Sequence, residues 1–254
     1  MNLQRTMALL KIELKKVIRE PVILFISILF PVALTLLLGL ALSGLASSSV
    51  PGYSVFDTMV PGLFGYACIW ITMTVATTFV DDRELGLLKR INTTRTTSGE
   101  FMVSHIISNT LISLLQVAIV AVLSFVLGFR PEGGISGFLL AFVFIGFLSI
   151  CSVGFGLITA TIAKNSGVAS GVAMIFILPQ MLFGSAGMGI PVMESTQLIA
   201  MFLPSYYATN SLKMIFSGTP LTEITIWTNL AVLAILSIVI VIVGIQLFKR
   251  FGKA

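Results

Sequence analysis

Charged residues in this chain gather in short clusters, and long apolar runs separate them. Residues 21–56, 58–80, 106–129, 133–163, 165–193, 195–212 and 224–248 contain no Asp, Glu, Lys or Arg. A hydrocarbon core about 30 Å thick needs roughly 20 helical residues. Six of the intervals supply that length and predict membrane helices over 22–44, 59–80, 106–127, 136–161, 168–189 and 226–248. Their Leu, Ile, Val and Phe residues do not alternate with polar ones, which excludes the strands of a membrane β-barrel. The fold class expected is therefore all-α integral membrane, with six transmembrane helices.

The interval 195–212 is long enough to span but carries Ser195, Thr196, Gln197, Pro204, Ser205, Thr209, Asn210 and Ser211. A helix bare to lipid does not carry that load, so the region 190–224 is expected to form a re-entrant or external segment covered by protein. Pro179, Gly184, Gly187, Gly189, Pro191, Pro204, Gly218 and Pro220 break regular helix repeatedly around it.

Ahead of the first span, Leu3, Met7, Leu10, Leu14, Val17 and Ile18 recur at helical spacing. Arg5, Lys11, Lys15, Lys16 and Arg19 occupy the rest of that helix. The pattern predicts an amphipathic helix over 1–20 lying in the membrane interface, ended by Pro21. The same charge density argues against a cleavable leader.

The stretch 80–105 reads VDDRELGLLKRINTTRTTSGEFMVSH and is the longest connection expected on the cytoplasmic side. Its acidic start (Asp81, Asp82, Glu84) suits a helix N-terminus, and Lys89 and Arg90 suit its end. Leu85, Leu88 and Ile91 would share one side of this short helix, and the polar run 92–98 would close it. An apolar strip with a charged rim suits docking into a groove on another protein; the alternative is a solvated loop on the membrane.

Composition supports the membrane reading. Apolar residues are 57% of 254, charged residues 10%, and mean hydropathy is +1.07. Soluble domains carry about 25% charged residues, so a water-soluble enzyme is excluded, as is intrinsic disorder. Two cysteines, Cys68 and Cys151, fall within predicted spans and are expected to be small buried apolar groups rather than a disulfide framework.

Net charge is +5 and its placement orients the chain. With both termini cytoplasmic, thirteen of the fifteen Lys and Arg lie inside, and only Arg130 and Lys213 lie outside. That makes a multi-pass protein of the cytoplasmic (inner) membrane. Anionic lipid accounts for the basic inner face, and no nucleic-acid partner is called for.

Absent chemistry narrows the function. No G-x-x-x-x-G-K-[ST] loop occurs to cradle ATP phosphates, and no G-x-S-x-G elbow. Gly154-Phe155-Gly156 lacks a third glycine and lies mid-span. A single histidine, His105, rules out a two-histidine metal site, and no metal or catalytic residue is expected. The six predicted spans hold no ionisable relay of the kind proton- and ion-coupled carriers use. Neutral polarity does occur: His105, Asn109, Ser113 and Gln116 make one stripe on the third span. Asn109, Ser113 and Gln116 are candidates either for helix packing or for lining a translocation path. Gly167 and Gly171 mark an expected close helix contact.

Taken together, the chain resembles the transmembrane subunit of ABC-2 type ATP-binding-cassette exporters, the group of drug-resistance and polysaccharide-export permeases. The resemblance rests on Arg19-Glu20-Pro21 after the amphipathic helix and Val60-Pro61-Gly62 entering the second span. It rests further on Asp82 through Arg90 after that span, and on Gly189-Ile190-Pro191 through Leu203-Pro204-Ser205-Tyr206. Relatives often carry a proline after the cytoplasmic helix, where this chain reads Asn92-Thr93-Thr94-Arg95-Thr96.

The resemblance implies a six-span half-transporter that forms a homodimer. A separate ABC ATPase subunit would drive it, gripping the loop 81–104 as a coupling helix formed by Arg83, Glu84, Gly86, Leu87, Leu88 and Arg90. ATP and magnesium would sit on that partner and no cofactor on this chain. The substrate expected is a hydrophobic or amphipathic small molecule. A lipid-linked glycan is the alternative cargo, and a self-contained secondary carrier or channel the alternative class; a membrane enzyme lacks its catalytic constellation.

Overall fold

Ser54 opens the helix around which the others pack. Its hydroxyl accepts from the Asp57 amide at 3.1 Å, and the Asp57 carboxylate accepts from the Ser54 amide at 2.8 Å, a reciprocal capping box. The cap starts the helix ahead of the expected residue 59. In the computed structural model, which describes residues 3–19, 21–42, 54–86, 98–184 and 194–251, it then runs unbroken for 30 residues.

In chain order the helices are α1 (Leu3–Arg19), α2 (Pro21–Leu42), α3 (Val55–Glu84), α4 (Ser98–Val126), α5 (Gly134–Ile162), α6 (Ser166–Pro179), α7 (Glu194–Ala200), α8 (Pro204–Phe216) and α9 (Ile224–Phe251). A π-helical turn over Gln180–Gly184 continues α6. No strand occurs among the described residues. Six helices are long and apolar enough to cross a membrane: α2, α3, α4, α5, α6 with its π turn, and α9. The chain is an all-α integral membrane protein.

α3 is the central span, with 72% of its most apolar window buried against 17% for α9. It packs most extensively along α5. Glycines bring the backbones together: a Cβ on Gly156 would lie 2.9 Å from the Thr72 carbonyl, and one on Gly154 2.6 Å from Ile240 on α9. Thr72 then donates its hydroxyl to the Ser152 carbonyl at 3.0 Å. Gly154 and Gly156 thus face opposite neighbours. Gly167 and Gly171, the pair expected to make a close contact, meet no other helix among the described residues: a Cβ on Gly171 meets nothing, and one on Gly167 only its own N-cap, Asn165.

Two apolar clusters fill the interior along α3. Phe64, Phe129, Phe144 and Phe216 belong to the one near its start, and Phe79, Phe101, Leu157 and Phe248 to the one near its end. Edge-to-face pairs recur in both, Phe64–Phe216 at 5.7 Å and Phe79–Phe248 at 5.4 Å between ring centres.

Much of the polar load of 204–212 is turned inward, while Gln197 of α7 is exposed. Ser205, Thr209 and Ser211 of α8 are buried. Thr209 donates to the Gly184 carbonyl at 2.9 Å and Ser205 to the Gln180 carbonyl at 3.2 Å, so α8 hydroxyls satisfy the irregular π turn. Asn229 on α9 donates to Ser211 at 3.0 Å. Close approach again depends on glycine: a Cβ on Gly184 would meet the Ser205 hydroxyl at 1.9 Å, and one on Gly133 the Ile215 carbonyl at 2.4 Å. Residues 185–193, including Gly187, Gly189, Ile190 and Pro191, lie outside the described residues.

Candidate functional site

The ends of α1, α3, α4 and α5 converge beside the connection that follows α3. On α1, Glu13 and Lys16 are one helical turn apart and face the same way. Lys16 ion-pairs with Asp82 in the last turn of α3. The Glu13 carboxylate lies 3.1 Å from Nε2 of His105 on α4. Glu13, Asp82 and His105 are all buried. The imidazole stands edge-on to Phe101 and Phe79, with ring centres 4.7 and 5.2 Å away. Asn109, one turn further on, donates to the His105 carbonyl at 2.9 Å.

Burial pushes the Glu13 carboxyl up, but the His105 ring and the Lys16 ammonium beside it more than offset this and hold it below the usual glutamate value. A carboxylate buried this deeply persists only where hydrogen-bond donors or a cation such as Lys16 face it.

Arg83, the next residue, turns to a different helix. Its guanidinium donates to the Ala160 carbonyl at 3.2 Å and also to the Ala163 carbonyl. These are carbonyls of the last turn and C-cap of α5, where the helix dipole is negative and no intrahelical donor remains. Asp82 and Arg83 therefore tie one end of α3 to α1 and α5 respectively.

Of the residues expected to form a coupling helix, Arg83, Glu84 and Gly86 are described. Asp81, Asp82, Arg83 and Glu84 are the final turn of α3, not the start of a separate helix. The apolar face of α3 continues through Phe79 and Val80, which extends the span past residue 80. Leu85 caps it, donating its amide to the Asp81 carbonyl at 2.9 Å, and Gly86 follows at φ +73°, where glycine avoids the Cβ penalty. Arg83 and Asp82 face neighbouring helices, whereas Glu84 and Leu85 are exposed. Leu87, Leu88 and Arg90 lie outside the described residues, and so does the run 87–97. The far side of the expected loop, from Ser98 on, already belongs to α4.

The polar stripe on α4 is turned inward within one chain. Asn109 is held at the His105 carbonyl, and Ser113 pairs with Ser149 of α5 at 2.9 Å. Gln116 is buried with neither polar atom of its amide partnered. A path along the chain's exterior would not touch these three side chains.

Sequence reading singled out His105 as the one histidine and as a member of that stripe, Lys16 only as surface charge, and Glu13 not at all. The available signal was the spacing of Glu13 and Lys16, a charged pair one turn apart on a helix otherwise read as amphipathic.

Residues 4–217 match the family model described as ABC-2 type transporter. The chain belongs to the ABC-2 type transporter family. The match begins in α1, takes in the first five membrane helices and ends just past α8, so the convergence of α1, α3, α4 and α5 lies wholly within it. None of the curated proteins matches the chain. As an ABC-2 membrane domain, the protein is the permease component of an ABC transporter. Permeases of this family normally pair with an ABC ATPase subunit, which agrees with the lack of any phosphate-binding loop in these 254 residues.

Proposed function

We propose that this ABC-2 permease works as a homodimer that exports a hydrophobic or amphipathic small molecule, driven by a separate ATPase that grips the connection after α3. The observation that carries the reading is the division of labour between Asp82 and Arg83. Force applied to 85–97 reaches the end of α3 and, through two adjacent side chains, both α1 and α5. A short handle can then move several spans as one body, the kind of bistable rearrangement that an ATP-driven partner can bias.

Substrate would sit between two copies of the permease. The outer faces of the described spans are apolar, with Phe25, Ile26, Leu29, Leu37 and Leu40 of α2 among the exposed side chains, and no ring of charge lies along them among the described residues. A glycan path would favour an aromatic lining, and the chain has only four Tyr and two Trp. The basic rim of α1, formed by Lys15, Lys16 and Arg19, suits anionic headgroups at the cytoplasmic interface.

Affinity purification from native membranes tests the reading. An ABC ATPase should co-purify with the tagged chain and be lost when Glu84 or Leu88 is replaced by Ala, while the permease itself remains folded. Full recovery of the ATPase with both variants, with transport unchanged, would remove the coupling role from this connection.

A further inference from the structure

We propose that Glu13, Asp82 and His105 form a binding site for one divalent transition-metal ion, with Zn²⁺ the best match to an imidazole and two carboxylates. The three residues come from α1, α3 and α4, and one ligand atom from each lies within 4.8 Å of the others. This donor set is of the type zinc accepts, and three protein ligands leave a fourth position for water.

Two atoms of the cluster are placed to meet a cation. Asp82 Oδ2 is buried and has no hydrogen-bond partner, and the Asp82 side chain is only 4% exposed. Nε2 of His105 is likewise without a hydrogen bond, since its 3.1 Å approach to Glu13 is not aligned as one. An orphaned carboxylate oxygen in an apolar setting is costly, and the dication offsets that cost for Asp82 and Glu13 together. The ring is already wedged in place by Phe79 and Phe101.

Lys16 occupies the rim. Its ammonium holds the other Asp82 oxygen, Oδ1, and its side chain is 27% exposed, so it can swing outward. The lysine is a competing cation, and the site is tuned by it rather than built from it. A bound metal would clasp α1 to the ends of α3 and α4 beside the connection that follows α3. The inference stands independently of which ATPase or substrate the permease uses.

The test uses the full-length chain in lipid nanodiscs, stripped with a chelator and then titrated with Zn²⁺ or Co²⁺ alone. Wild type should retain one Zn²⁺ per chain through gel filtration, and its Co²⁺ form should show the intense visible bands of a low-coordinate site. H105Q and D82N should lose stoichiometric binding while eluting as the same monodisperse species. K16M should bind at least about tenfold more tightly, because a nearby positive charge is gone. Binding by wild type no greater than by H105Q overturns the proposal, as does K16M binding no tighter than wild type. Should a variant fail to fold, the wild-type Co²⁺ spectrum decides alone: the weak bands of the hydrated ion overturn the site.

Discussion

The Arg83 guanidinium donates to the Ala160 carbonyl at 3.2 Å, across 77 residues of sequence, and so caps the C-terminal end of α5 from the end of α3. Charge-assisted hydrogen bonds of this kind contribute about 1.5–3 kcal/mol when buried, and Arg83 is only partly buried, so the lower end applies. Arg83→Gln should lower the melting temperature of the purified permease by a few degrees and reduce ATP-driven transport several-fold at unchanged expression. Lysine cannot span both carbonyls as the guanidinium fork does, so Arg83→Lys should rescue only part of the loss. Full activity in both variants would show that the tie between α3 and α5 transmits nothing.

Gly65 on α3 faces Thr209 on α8. A Cβ there would meet the Thr209 methyl at 2.6 Å, in an interior with no slack. Gly65→Ala should destabilise the fold by about 1–3 kcal/mol. Thr209→Ser removes the methyl and keeps the hydroxyl that serves Gly184, so the double variant should recover most of that loss in thermal unfolding. Strict additivity of the two changes would contradict the packing described.

Gln116 is buried with an unpartnered amide. Gln116→Leu should leave the choice of substrate unchanged and raise stability by about 1 kcal/mol or more, since an unsatisfied polar group is removed. A shift in substrate preference would return this residue to the translocation path.

Orientation is testable without transport. A cysteine placed at Asn92 should be shielded from membrane-impermeant reagents in intact cells, and one at Ser48 should react. The native Cys68 and Cys151 are buried and should stay silent in both. The reverse labelling pattern would invert the topology.

Much of this architecture was legible because lipid imposes a simple rule: a span needs about 20 apolar residues, and charge marks its ends. Within 195–212, the burial of Ser205, Thr209 and Ser211 agrees with their being unsuited to lipid, whereas Gln197, Leu198 and Ile199 are exposed. What could not be read were meetings between distant residues. Glu13 and His105 are 92 positions apart, and nothing in either's neighbours names the other. The end of α3 misled for a different reason. Asp81, Asp82 and Glu84 resemble a helix start, but pairing of Asp82 with Lys16 lets acidic residues end a helix against its dipole. Glycine spacing shows where helices could approach and not which face has a neighbour, as Gly154 and Gly156 show against Gly167 and Gly171.

The most direct measurement compares proteoliposomes holding this chain alone with proteoliposomes holding it together with its co-purified ATPase, each given ATP and a lipophilic dye. Concentration of the dye against its gradient only in the paired vesicles, and its loss when the ATPase cannot hydrolyse ATP, is the predicted result. Uphill movement by the chain alone would contradict the account.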